Sequence, residues 1–179
     1  MKRLLFLLVI CLAPMAGWAQ VGPDVRDLPG FLDLSLVDSW FDREAKIEVN
    51  VSGALLGLVQ GATEQEEPEL STMLSRLKGL YVRGYAVTPE EARSIGERTN
   101  SLARSLTSQG WETVVRVNED DERVHVYLRS IQNRIAGLVV MVVDEEETMF
   151  VNIVGEIDPS ELGRLGSRFD LKLPNADRQ

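Results

Sequence analysis

His125 is the only histidine in this chain of 179 residues, and it stands in a two-residue register with Arg123, Tyr127 and Arg129. Imidazole changes charge near neutral pH, so a general base could sit there. A hydrolytic triad also needs a matched nucleophile and an orienting acid, and no Gly-x-Ser-x-Gly elbow occurs in the chain. One histidine and one cysteine leave imidazole- and thiolate-preferring metals almost without ligands. Carboxylates are the other reservoir of chemistry, concentrated in Glu119-Asp120-Asp121-Glu122 and Asp144-Glu145-Glu146-Glu147. Such groups can hydrolyse glycosides in pairs or hold hard cations. Neither run has the Asp-x-Asp-x-Asp-Gly spacing that wraps calcium, and both fall where hairpins must turn in water. They are read as solvated turns that also oppose edge-to-edge aggregation. Gly53-Ala54-Leu55-Leu56-Gly57 lacks the Lys-Ser or Lys-Thr of a phosphate loop. No catalytic residue, cofactor or metal is expected.

The elements that position these groups follow from periodicity. Ile47, Val49 and Val51 alternate with Lys46, Glu48 and Asn50, the pattern of a half-buried strand. Ser52 is placed to cap a short helix through Leu55, Leu56 and Val59. Pro68 suits a first helical position, and Leu70, Met73, Leu74 and Leu77 recur at helical spacing up to Gly79. Leu80 to Val87 reads as a strand with Tyr81, Arg83 and Tyr85 on one side. Thr88-Pro89-Glu90-Glu91 is a capping box, opening a helix whose inner stripe is Ala92, Ile95, Thr99, Leu102, Ala103 and Leu106 and which stops at Gly110.

Two hairpins follow. In the first, Trp111, Thr113, Val115 and Val117 are expected on one face, answered by Val124, Val126 and Leu128 on the partner strand. That leaves Arg123, His125, Tyr127 and Arg129 on the polar, solvated side. In the second, Leu138 to Val143 is apolar on both sides and is expected at the centre of the sheet. Asp158-Pro159-Ser160-Glu161 repeats the capping pattern and predicts a short helix with Leu162 and Leu165. The order β, α, α, β, α, four strands, α predicts an α+β domain: a mostly antiparallel sheet of about six strands with helices mainly on one face.

Lys2 and Arg3, the apolar run Leu4 to Leu12 and the small-residue exit Gly17-Trp18-Ala19 form the layout of a secretory signal, with cleavage expected after Ala19. The run is too short to span a bilayer, which takes about 20 residues. Ile10 stands where a lipoprotein signal has a small residue before its cysteine, so acylation of Cys11 is not expected. The divisions are a signal at 1–19, a leader and packing segment at 20–40, one α+β domain at 41–173 and a loose tail at 174–179. The net charge of −9 becomes two charges more acidic when Lys2 and Arg3 are removed. An acidic domain repels phosphate backbones and anionic lipid, which disfavours nucleic-acid and membrane-surface roles.

The first strand followed by Gly-Ala-Leu-Leu-Gly-Leu-Val, then Leu77-Lys78-Gly79-Leu80-Tyr81-Val82, Leu138 to Val143 and Val151 to Ile157, resembles a family of exported bacterial proteins catalogued as domain of unknown function 4252. The resemblance covers about 40 to 170. It implies signal-bearing envelope proteins, some lipidated and some encoded beside sigma-factor regulatory genes, and it carries no catalytic residues.

The expectation is therefore a non-enzymatic periplasmic or secreted protein that binds an unidentified protein or small ligand, its oligomeric state left open. A carboxylate-dependent hydrolase of an envelope glycan and a self-pairing scaffold are the alternatives. The candidate interaction face is Arg123, His125, Tyr127 and Arg129 with Tyr81 and Tyr85. Charge reversal there is expected to alter binding and spare the fold.

Overall fold

The structure is a computed structural model, and it describes residues 24–119 and 122–158. The expected signal at 1–19, the helix from Pro159 onward and the tail at 174–179 lie outside the described residues.

Six strands form one sheet: β1 (Ile47–Ser52), β2 (Leu77–Ala86), β3 (Trp111–Asn118), β4 (Glu122–Ile131), β5 (Arg134–Asp144) and β6 (Glu147–Ile157). Their spatial order is β1-β2-β6-β5-β4-β3, and every neighbouring pair is antiparallel. Strands β3 to β6 form a meander whose last strand lies against β2, so the doubly apolar β5 and β6 occupy the middle, as expected from 138–143. Turn chemistry fixes the register. Gln132 and Asn133, both with positive φ, join β4 to β5 in a two-residue loop. In the acidic β5–β6 turn, Asp144 Oδ1 accepts from the backbone N–H of Glu146 and Glu147 at 2.8 and 2.7 Å.

The long helix α4 (Pro89–Ser108) begins at the capping box: Glu91 N–H donates to Thr88 Oγ1 and Thr88 N–H donates to the Glu91 carboxylate. Its buried stripe is Ala92, Ile95, Gly96, Thr99, Ala103 and Leu106. It packs on one sheet face with the segment 30–41, which contains the single turn α1 (Ser35–Asp38). On the other face, α2 (Ala54–Thr63) and α3 (Pro68–Arg76) pack together at one end, where Leu56 and Leu74 meet Leu77, Leu138 and Ile157.

Three local expectations are corrected. Helix α2 is preceded by Gly53 at its N-cap with no side-chain cap, so Ser52 does not cap it. Helix α3 ends at Arg76, because Leu77 is recruited into β2 opposite Gly155 and into the lower core; Gly79 lies inside the strand. In β3 a register shift between Thr113 and Val115 divides the expected face. Trp111 and Thr113 lie opposite Arg129 and Tyr127, whereas Val115 and Val117 lie opposite Val126 and Val124. A bulge of this kind moves every later side chain to the other face.

The N-terminal segment is tied to the sheet by one buried side chain. Asn152 Oδ1 accepts from Leu32 N–H at 2.9 Å, and its amide donates to the carbonyls of Gly30 and Leu138 at 2.9 and 3.2 Å. Gly30 lies directly on Gly137, and a Cβ at residue 30 would collide with the Ala136 carbonyl.

Candidate functional site

Strand β4 turns Arg123, His125, Tyr127 and Arg129 toward α4. His125 is 1% exposed and Tyr127 0%, so this is not a solvated face. The reason lies in the helix: its inner stripe includes the small residues Ala92, Gly96, Thr99 and Ala103, which leave volume for large side chains from the sheet. Tyr127, Met141 and Phe150 fill that volume. A side chain at Gly96 would meet the Arg123 guanidinium, and Arg129 Nη1 donates to the Gln109 carbonyl at the helix C-terminus, where a cation also complements the dipole. His125 Nε2 lies 3.2 Å from Asn118 Oδ1. Burial holds its imidazole below the usual range, and the Arg116 and Arg123 guanidinium groups push the same way. His125 Nδ1, Tyr127 Oη and Thr99 Oγ1 are buried without a hydrogen-bond partner among the described residues.

Tyr81 and Tyr85 lie elsewhere on the same face, where they hold the N-terminal segment. The Tyr85 ring stacks on Phe41 at 3.7 Å between centroids, and its hydroxyl donates to the Asp38 carboxylate. Burial and that carboxylate raise the phenol well above its ordinary value. Arg83 lies 3.4 Å from Asp38 and 3.1 Å from Glu48, and its Nη1 donates to the side-chain amide oxygen Oδ1 of Asn50 at 3.0 Å. A guanidinium so matched has little capacity left for an anion. Tyr81 meets Phe31 edge-on at 5.4 Å beside a depression of ≈ 620 Å³ that is also lined by Asp24, Arg26, Asp33 and Arg83. The six candidate residues thus fall into two structural places, the seat of α4 and the latch of the N-terminal segment.

The opposite face has a different character. Val49, Val82, Val151, Val140, Val126 and Val115 stand side by side across all six strands, each directly opposite the next. A second row, two residues further along each strand, is Ile47, Gly84, Met149, Val142, Val124 and Val117. All six valines of the first row are half-buried; in the second only Gly84 is buried, and Ile47 is 38% exposed. The lower core beneath α2 and α3 takes in Val51, Ile153, Leu138 and Leu128 of the neighbouring row and also packs against Val126 and Val140. Strand spacing and rise give the two rows a footprint of roughly 400 Å², of which only part is exposed because every residue in them except Ile47 is half-buried or buried.

Carboxylates edge this floor. Glu122 is paired with Asp144, Glu147 with Ala86, and Glu119 N–H donates to the Glu122 carbonyl at 2.8 Å. By the two-residue alternation, all four acids follow the second aliphatic row on the same face. Like charges placed directly opposite each other are unfavourable unless something cationic meets them. Among the described residues no cluster of three or more His, Cys, Asp or Glu side chains is arranged to hold a metal, and no helix is long and apolar enough to cross a membrane.

The valine rows were hidden from sequence because alternation marks two faces without saying which is inside. The signal that could have found them was the inner stripe of α4. Its Ala, Gly and Thr residues suit large, partly polar partners, and the only such side of β4 is the His125 side.

Together these features define an α+β domain with a six-stranded antiparallel sheet, one face sealed by a helix and the other aliphatic and half-open. The chain belongs to the family described as domain of unknown function (DUF4252), whose model matches residues 41–165. Among curated proteins no match to the sequence was found.

Proposed function

We propose that the protein is a non-enzymatic interaction module of the cell envelope, exported by the segment 1–19 with cleavage after Ala19, and that it docks an apolar segment of a partner on the two open aliphatic rows. The observation that carries this reading is the unbroken valine row from Val49 to Val115. A half-exposed aliphatic floor bounded by carboxylates suits a partner segment that is apolar along one side and carries lysine or arginine at one end. Glu122 and Asp144, which stand opposite each other beside this floor, are read as the acidic contact for that cationic end rather than as a hydrolytic pair.

The test is the size of native complexes in the envelope fraction at native expression level. The wild-type chain should migrate in a complex larger than its monomer, and Val126→Lys and Val140→Lys should return it to monomer size with the fold retained. A wild-type chain that is monomeric, or lysine variants that assemble like wild type, would count against the reading.

A further inference from the structure

Helix α2 is turned inside out for a surface helix. Both of its polar side chains, Gln60 and Thr63, lie half-buried on the inner side with Leu56, whereas every exposed residue from Ala54 to Ala62 is Ala, Gly, Leu or Val. A surface helix ordinarily keeps its charged and polar residues outward. Here Leu55, Leu58 and Val59 are 56%, 70% and 44% exposed, and a Cβ added at Gly57 or Gly61 would meet no atom within 4 Å among the described residues. The orientation is fixed from within: the Gln60 carbonyl accepts from Thr63 Oγ1 at 3.0 Å and from Ser71 Oγ of α3 at 3.2 Å. Acids follow directly, with Glu64 at the C-cap and Glu66, Glu67 and Glu69 after it, and residues 47–75 contain no lysine or arginine.

We infer that α2 is a self-association surface, on which a second copy of this chain lays its own α2 antiparallel about a two-fold axis between Leu58 and Val59. The charges favour this occupant. An acidic flank without cations repels an anionic bilayer, and it repels a second copy laid parallel, which would set like carboxylates side by side. Laid antiparallel, Glu64 of each copy comes level with Gly53 of the other, at an N-terminus that has no side-chain cap and bears the positive end of the helix dipole. The two Glu64 groups are then about 16 Å apart along the helix, beyond the roughly 8 Å over which charges act at physiological salt. Between these ends the surface is self-complementary: Gly57 and Gly61 let the backbones approach, and Leu58 of each copy seats against the other. The helix pair buries on the order of 800 Å², the size of a transient contact, so the dimer is weak and reversible. The exposed face of α2 is separate from the aliphatic rows of the proposed function, and its test involves no envelope partner.

The purified full chain is sedimented across micromolar to millimolar concentrations. It should pass reversibly from monomer to dimer, and Leu58→Glu should weaken the association at least about tenfold with an unchanged circular dichroism spectrum, since Leu58 is 70% exposed. A chain that stays monomeric, or a Leu58→Glu variant that dimerises like the wild type, would overturn the inference. The register is read by single cysteines in the chain carrying Cys11→Ser. Under mild oxidation Leu58→Cys, beside the axis, should form a disulfide between chains at least about ten times faster than Leu55→Cys, whose symmetry mate lies about 10 Å further along the helix and out of bridging range. Equal rates, or faster closure at 55, would overturn the antiparallel pairing. The dimer should survive in Val124→Lys, and its loss there would move the contact to the aliphatic rows. Flotation of a monomeric wild type, but not of Leu58→Glu, with phosphatidylcholine vesicles would assign the face to a bilayer instead.

Discussion

Val126 and His125 are consecutive on β4 and belong to opposite worlds: Val126 is half-exposed in a row of valines, whereas His125 is 1% exposed beneath α4. The polar side of this strand is its inside and the aliphatic side is the one left open. Charge reversal at Arg123 is therefore expected to harm folding rather than spare it. Arg123→Glu would remove the guanidinium that packs against Gly96, costing about 1–2 kcal/mol, while Val124→Thr, on the open face, should cost under about 1 kcal/mol. Urea unfolding of the two variants measures the contrast.

His125 makes stability depend on pH in a definite direction. Its folded-state affinity for a proton is depressed by burial and by Arg116 and Arg123, and no charged residue of the buried α4 stripe faces it in compensation. Above its ordinary value near 6.5 both folded and unfolded states are neutral there. As the pH falls through that value, the unfolded chain takes up the proton first and stability is lost, levelling off only below the depressed folded value. The melting temperature should decline from pH 7 toward pH 5, and His125→Gln should flatten that decline. The lowered carboxyls of Asp33 and Glu91 act only at more acid pH, in the carboxylate range. A melting temperature independent of pH between 7 and 5 would contradict this.

Tyr127 carries a buried hydroxyl with no partner among the described residues. Tyr127→Phe should be neutral or stabilising by up to about 1 kcal/mol, since it removes an unsatisfied polar group and keeps the ring. Tyr127→Ala should cost about 3–5 kcal/mol through the cavity it leaves under α4. Chemical denaturation of both variants checks the sign of the first and the size of the second.

Thr88→Ala should destabilise by about 1 kcal/mol, because the N–H of Glu91 loses its acceptor, and Thr88→Ser should restore most of that.

The N-terminal segment should detach when its anchor is removed. Asn152→Leu leaves the Leu32 N–H and the Gly30 and Leu138 carbonyls without that side chain, and Gly30→Ala collides with Ala136. Both variants should become sensitive to limited proteolysis between residues 28 and 41, at protease levels that leave the wild type intact.

Much of the fold was legible because local chemistry and tertiary placement agree. The capping box at Thr88, the doubly apolar Leu138 to Val143 and the acidic turn from Asp144 to Glu147 each sit where their residue types predict. The failures have particular causes. The bulge after Thr113 adds one residue to β3, and alternation read through it puts Val115 on the wrong side. Leu77 fits a helical stripe as well as a strand, and only its pairing with Gly155 decides. For the site, the rule that polar strand faces meet water failed at His125, because the small residues of α4 accept Arg, His and Tyr side chains as packing and helix-end partners.

The most direct test of the open aliphatic face is a photo-crosslinking scan along β4, with the reactive side chain placed in turn at Val124, His125, Val126, Tyr127 and Leu128 in the envelope at native expression level. Adducts to a partner should appear at 124 and 126 and be absent at 125 and 127. Adducts confined to 125 and 127, or the same yield at all five positions, would contradict the account.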